Sequence, residues 1–304
     1  MTALPRRTRV AALALTAALG TVLSGCGSDD GSEDPVATDP VDSSTEATPG
    51  DPETGSATES APPSGEVTVP VYFVGDTPQG ARLFREFRKV ASDNPLEEAA
   101  ALVAAGDALD PDYRTAYPSG SFASIEYADG GFRVELPDDA WTTTTGQDSS
   151  EEATLAVQQL VYTLQGVQQD RAPVTVFVGD SPATLFGVDT AGGVSAEPPL
   201  DVLGLVSVTS PEEGATVPDT FTASGVASSF EATVPWEIRQ GDKVVLDGFA
   251  TAEGWMDKLY PWETEVDVSG LAPGEYTFVA LTDDPSGGAE GAGPHQDSKA
   301  IVVE

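Results

Sequence analysis

The sequence predicts an α+β domain followed by an all-β sandwich, both carried behind a disordered acidic tether. Three observations lead there. From about residue 67 to residue 178, strand-like and helix-like patterns alternate. After Pro198-Pro199 the chain is nearly free of helical pattern and reads as short strands punctuated by turns. Residues 27–65 hold ten acids, no basic residue and no aromatic, a composition that cannot bury enough apolar surface to offset the entropy of ordering.

In the first domain, Val67–Val74 is rich in β-branched and aromatic residues and reads as a strand, and Asp76-Thr77-Pro78-Gln79-Gly80 is turn chemistry. Leu83–Val90 continues as a second strand or as a helix; Leu83, Phe87 and Val90 suit a helix face, so periodicity leaves both open. Pro95 in the first turn, Glu97 and Glu98 behind it and Gly106 at the far end mark a helix between them. Asp129-Gly130 joins Ser121–Tyr127 to Gly131–Leu136 as a hairpin, whose second arm turns Phe132, Val134 and Leu136 to one face. A second helix begins near Ser149-Ser150-Glu151-Glu152 and runs to about Gln165, with Leu155, Gln159 and Tyr162 near one stripe. Val174–Val178 follows as a strand.

In the second domain, strands are expected near 203–209, 220–225, 230–239, 243–250, 262–268, 275–281 and 299–303, a number that suits a seven-stranded sandwich. Pro235 cannot donate to a ladder, so its strand is expected at an edge or with a bulge. Leu271-Ala272-Pro273-Gly274-Glu275-Tyr276 has the form of a tyrosine corner, in which the hydroxyl ties back to upstream backbone.

These residues carry two resemblances. The Tyr72-Phe73 strand, the helix after Pro95, Tyr117-Pro118-Ser119-Gly120, Asp129-Gly130-Gly131 before Val134-Glu135-Leu136, and Ala156–Leu164 together resemble the GerMN domain of sporulation and germination lipoproteins. Gly106-Asp107 departs from the Gly-Pro often seen there. Ser210-Pro211-Glu212-Glu213-Gly214, Gly225, Phe230–Val234, Gly241 and the tyrosine corner resemble the immunoglobulin-like domain of bacterial spore germination proteins. The resemblance implies a non-catalytic scaffold with an envelope protein as partner, such as a sensor kinase or a wall-assembly complex.

The N-terminus sets the expected compartment. Arg6, Arg7 and Arg9 precede an apolar run, Val10–Leu23. That run is shorter than the roughly 20 residues a membrane span needs, and it reads as a secretory signal. Leu23-Ser24-Gly25-Cys26 resembles the lipobox of bacterial lipoproteins, which implies cleavage before Cys26 and a lipid on its thiol. Arg6-Arg7 lacks the other residues of a twin-arginine signal. The expected organisation is a signal peptide at 1–25, an acidic linker at 26–66, the α+β domain at 67–197 and the sandwich at 198–304. About 40 flexible linker residues would reach roughly 35 Å. The expected location is the outer face of the cell membrane, anchored through the lipid on Cys26.

The formal net charge is −36, and loss of the three signal arginines makes the remainder more negative still. Such a chain repels nucleic acid, whose binding depends on cationic contacts to phosphates. Catalytic inventories are thin. His295 is the only histidine, in Gly293-Pro294-His295-Gln296-Asp297, and reads as a surface loop residue; one histidine makes no zinc site without other ligands. No Gly-x-Ser-x-Gly elbow or phosphate-cradling glycine loop is present, and no cofactor or metal is expected. Paired acids are abundant, so a hydrolase remains as an alternative; Asp138-Asp139-Ala140-Trp141 is the most suggestive place, against a loop whose Trp packs back on the domain. The acidic stretch Asp283–Asp297 lacks the EF-hand register, and whether it binds calcium stays open. Trp255, Tyr260 and Trp262 cluster between two expected strands and are the candidate partner-binding residues, for a protein or for wall glycan or peptide; Trp262 also suits the core. Arg82, Arg85, Arg88 and Lys89 form a basic group that reads as a solvated face or as a dock for an acidic partner.

Overall fold

The computed structural model describes residues 65–143, 150–286 and 292–304. The signal, Cys26, the acidic linker up to residue 64, Ser149 and Glu290 lie outside the described residues. Glu66, assigned above to the linker, opens the first strand.

Strands β1 (Glu66–Thr77) and β2 (Gly80–Ala91) pair antiparallel over their whole lengths, from Glu66↔Ala91 to Thr77↔Gly80. Leu83–Val90 is therefore strand, because β1 offers a continuous ladder that a helix there would forgo. Helix α1 (Pro95–Ala105) starts on its proline and stops where Gly106 takes φ 67° and donates its N–H to the Val103 carbonyl. Strand β3 (Tyr113–Arg114) pairs briefly with β1. Strands β4 (Ser124–Ala128) and β5 (Gly131–Leu136) form the expected hairpin, with Asp129 at φ 53° and Gly130 at φ 74°, as a type I′ turn requires. Helix α2 (Ser150–Gln168) crosses over to β6 (Val174–Val178), which runs parallel to β5. The short strands β7 (Ser181–Pro182), β8 (Thr184–Leu185) and β9 (Val188–Asp189) follow. The sheets are β2-β1-β3 and β4-β5-β6-β7, with β8-β9 as a separate ribbon.

Helix α2 is buried on every side from Leu155 to Gln165, so its polar residues need partners inside. Tyr72 of β1 donates its N–H to Thr163 Oγ1 at 3.1 Å, and its carbonyl accepts from Gln159 Nε2 at 2.9 Å. Gln159 Oε1 accepts the Ala116 N–H at 3.0 Å, and Gln158 bonds Ser195 O and the Glu197 N–H. Side chains of the helix thus supply the hydrogen bonds that a further strand beside β1 would have made. Trp141 is buried against Tyr117, Phe122 and Phe186. Asp138 and Asp139 stay exposed on a turn closed by the Ala140 N–H to Asp138 bond at 2.9 Å, and Trp141 is the residue that packs back on the domain.

A short helix α3 (Pro199–Val202) leads into β10 (Val206–Ser210), β11 (Ala215–Val217), β12 (Thr220–Ala227), β13 (Thr233–Gln240), β14 (Lys243–Ala252), β15 (Tyr260–Asp267), β16 (Gly274–Leu281) and β17 (Gln296–Val303). Eight strands form the sandwich rather than the seven expected: β10 pairs with β12, and after Pro211–Gly214 the chain adds β11, which was not expected and runs parallel to β17. The order is β10-β12-β15-β14-β13-β16-β17-β11, with β14 and β15 joined only at Thr251↔Glu263 and Ala252↔Trp262. Strand β13 is interior, between β14 and β16, and not an edge. Pro235 is tolerated because the β16 ladder begins only at Trp236, and the register shift against β14 lies farther on, at Ile238/Arg239. Tyr276 Oη donates to the Ala272 carbonyl at 2.9 Å, which makes the expected corner.

Trp262 is corrected from the candidate partner-binding group to the core. It is 3 % exposed, with its ring near parallel to Phe278 at 6.5 Å. Its position on β15 is in phase with buried Val266, so the pleat turns it inward.

Candidate functional site

The most concentrated chemistry among the described residues lies where the two domains meet. Strand β2 contributes Glu86, whose carboxylate accepts the N–H groups of Leu109 (2.9 and 3.0 Å) and Asp110 (2.8 Å). Those bonds shape the loop before β3 and place Asp110 and Tyr113 against β17. Tyr113 stacks on Phe84 with ring centroids 5.2 Å apart, which fixes where its hydroxyl lies. From the second domain, β17 contributes Asp297 and Lys299, two residues apart and therefore on one face.

The side chains close into a network. Lys299 Nζ bonds Asp110 Oδ2, lies 2.8 Å from Tyr113 Oη and 3.4 Å from Asp297 Oδ1, and sits 4.3 Å from the centre of the Tyr113 ring. Tyr113 Oη donates to Asp297 Oδ1 at 2.6 Å, and the Val208 N–H of β10 donates to Asp297 Oδ2 at 2.6 Å. The Lys299, Asp110 and Asp297 side chains are 5 %, 2 % and 1 % exposed. Burial alone would lower the Lys299 pKa, but Asp297 and Asp110 outweigh it and hold the ammonium above its ordinary value. The Tyr113 hydroxyl is pushed well up, first by burial and then by the two carboxylates.

Flanking contacts extend the joint. Ser298 donates to Asp112 Oδ2 at 3.0 Å. Arg82 donates to the carbonyls of Leu200 and Asp201, and Arg85 to Thr209 Oγ1 at 3.2 Å. Arg88 pairs with Asp107 at 3.0 Å and Glu86 at 3.5 Å. The basic group is therefore corrected: Arg82 and Arg85 bind residues of the following segment, Arg88 ties down the loop before β3, and only Lys89 remains an exposed cation of that set. Val202 and Leu203 pack with Val74, Leu83, Leu155 and Tyr162, so the segment between the domains is held to the first one.

The other candidates separate. Trp255 is 38 % exposed and stands edge-on to Phe230 at 5.2 Å. Tyr260 is half-buried, donates to Asp257 at 2.8 Å and lies under Lys258. With Trp262 inside, no row of three aromatics forms. His295 is corrected from a surface residue to a buried one, 2 % exposed, with neither ring nitrogen hydrogen-bonded. Burial and nearby Arg82 lower its pKa. The reason is that the chain there enters β17, and the Thr282 and His295 backbones bond each other and draw the ring in. Asp297, taken above as the end of an acidic loop, is in the joint, and Glu290 lies outside the described residues. No group of three metal-ligating side chains stands together among the described residues, and no helix there is long and apolar enough to cross a membrane.

The joint was not anticipated from the sequence, although half of it left a signal. In β17, Asp297 and Lys299 share the inward phase of Ile301 and Val303, and charged residues on a buried face call for partners. Asp110 lies in a loop with no periodicity, so nothing local announces it. Beside the joint runs a cleft of about 450 Å³, lined on one side by Tyr72, Arg85, Tyr162 and Arg171 and on the other by Ser207 and Lys258.

Comparison with known proteins accords with this architecture. Residues 70–184 match the family described as sporulation and spore germination, and residues 205–289 match the family described as the immunoglobulin-like domain of bacterial spore germination. No curated protein matches the chain. Among solved structures, the tandem GerMN domains of the sporulation protein GerM from Bacillus subtilis share 15 % identity over 47 % of this chain and 50 % of that one, with a TM-score of 0.36. An engineered protein shares 16 % over 56 % of this chain and 40 % of that one, with a TM-score of 0.26. The endo-β-1,4-mannanase from Thermotoga petrophila shares 12 % over 52 % and 36 %, also with a TM-score of 0.26. The chain spans half or less of these solved chains. This chain thus carries a GerMN-type sporulation and germination domain at 70–184 followed by an immunoglobulin-like spore germination domain at 205–289.

Proposed function

We propose that this protein is a non-catalytic envelope lipoprotein, anchored to the outer face of the membrane through Cys26, whose joined domains present one rigid surface to a protein partner. The observation that carries the reading is the use made of the buried charges. Glu86, Asp110, Asp297 and Lys299 are spent on one another and on backbone N–H groups, in a buried joint rather than in an open cleft. A general acid–base pair needs access to substrate, whereas a buried network of this kind specifies one docking geometry. The pairing of the two domain types and the acidic linker support presentation at a distance from the lipid. A sensor kinase or a wall-assembly complex is the class of partner that this role fits.

The anchor is tested by metabolic labelling with a fatty acid, followed by fractionation. Wild type should label and sediment with membranes, and Cys26→Ser should do neither; a labelled, membrane-bound variant would overturn the anchor. The non-catalytic part is tested by incubation with purified peptidoglycan and with glycan and ester substrates. Turnover that disappears in Asp138→Asn or Asp139→Asn would replace the scaffold by a hydrolase. A second reading, binding of wall glycan or peptide, is favoured by exposed Trp255 beside Phe230 and Met256. Wall binding lost in Trp255→Ala would promote it.

A further inference from the structure

We propose that the cleft beside the joint binds a small ligand that carries an oxyanion, a carboxylate or a phosphate, on an apolar or aromatic body. This chain has 50 acids and 14 basic residues, so partners for its cations abound. Arg88, Arg114, Arg133, Arg239 and Lys299 all have carboxylate partners. Six basic residues form no ion pair among the described residues; Arg82, Lys89 and Lys243 lie elsewhere, whereas Arg85, Arg171 and Lys258 all line this cleft. Its one acid, Asp170, accepts a hydrogen bond from Tyr127. The cleft is a cationic island on an acidic molecule.

Arg85 stands directly across the β1–β2 ladder from Tyr72, and both line the cleft together with Arg171. A guanidinium fork matches two oxygens of a carboxylate or phosphate. Tyr72 and Tyr162, with ring centroids 5.3 Å apart, supply an apolar wall. Ser207, also on the cleft lining, keeps a buried hydroxyl without a partner, a polar atom left for a ligand or for rearrangement on binding. A volume of about 450 Å³ lies in the range of small-molecule sites. The ligand is small because the acidic surroundings repel a long polyanion before it can reach the cations. The inference stands whether or not the chain is lipid-anchored.

The test is calorimetric titration of the purified full chain with phenyl phosphate, benzoate and, as the neutral control, benzyl alcohol. At least one of the two anions should bind saturably at one site, and the alcohol at least about tenfold more weakly, because charge-assisted bonds are lost. Tighter phenyl phosphate would identify a phosphate ligand, and tighter benzoate a carboxylate. Arg171→Gln, at an exposed side chain without an ion pair, should weaken the anion about tenfold, while Lys243→Gln, outside the cleft, should leave it unchanged. Absence of saturable binding by both anions, or equal affinity in wild type and Arg171→Gln, would overturn the proposal.

Discussion

Replacing Lys299 with methionine keeps most of the stem's volume and removes the ammonium that stands between Asp110 and Asp297. Both carboxylates are at most 2 % exposed, so water cannot take over. Tyr113 Oη still donates to Asp297, but Asp110 Oδ2 loses its buried partner. Removing one member of a buried ionic pair costs about 3–5 kcal/mol. Urea unfolding at pH 7 should show a loss of that size. The single transition should also separate into two, because the network is what couples the domains. One stranded carboxylate relieves the repulsion by binding a proton, so its folded-state pKa rises above that of the unfolded chain. The variant should therefore recover part of the loss as pH falls through that raised value. A Lys299→Met/Asp110→Asn/Asp297→Asn variant should recover part of it at pH 7. In wild type, the raised pKa means that the contribution of Lys299 is full below 10.5 and is lost as pH climbs through the higher folded-state value. A loss under about 1 kcal/mol, the range of exposed pairs, with one unsplit transition, would refute the reasoning.

Two further outcomes are expected. Tyr276→Phe removes the donor to the Ala272 carbonyl and should lower stability by about 1 kcal/mol, visible as a lower thermal midpoint; an unchanged midpoint would remove the corner from the account. His295 is buried without partners and has a lowered pKa, so the unfolded chain binds the extra proton first. Wild-type stability should fall as pH drops from about 6.5 toward the lowered folded value, with a slope of up to about 1.4 kcal/mol per pH unit, and His295→Leu should flatten that window in a urea series at several pH values. An equally steep variant would assign the slope to other groups.

The charge network bears on how the two domains act. Each has its own apolar core, and an interface of apolar contacts alone would permit sliding. Directional bonds from β2, the loop before β3, β10 and β17 admit one arrangement. Arg82 then holds the intervening segment and Arg85 holds β10, which leaves the cationic cleft with a defined shape.

What the sequence by itself determined is local. Alternation in Phe132–Leu136, the Asp129-Gly130 turn, Pro95 with Gly106 around α1, and the spacing from Ala272 to Tyr276 each encode a conformation within a few residues, where sterics and pleat set the answer. The two domain types followed from such pieces in order. Where local patterns allowed two outcomes, as at Leu83–Val90 and at Trp262, the partner decided: β1 supplied a ladder and Phe278 a core. Tertiary structure alone decided the rest. Asp110 and Lys299 lie 189 residues apart, and no periodicity carries information over that separation. The inward phase of Lys299 shows that it needs a buried counter-charge, not which acid provides it. His295 was drawn inside, and the basic residues of β2 were divided between joint and cleft, because packing of one domain against the other fixes the surroundings of both surfaces at once.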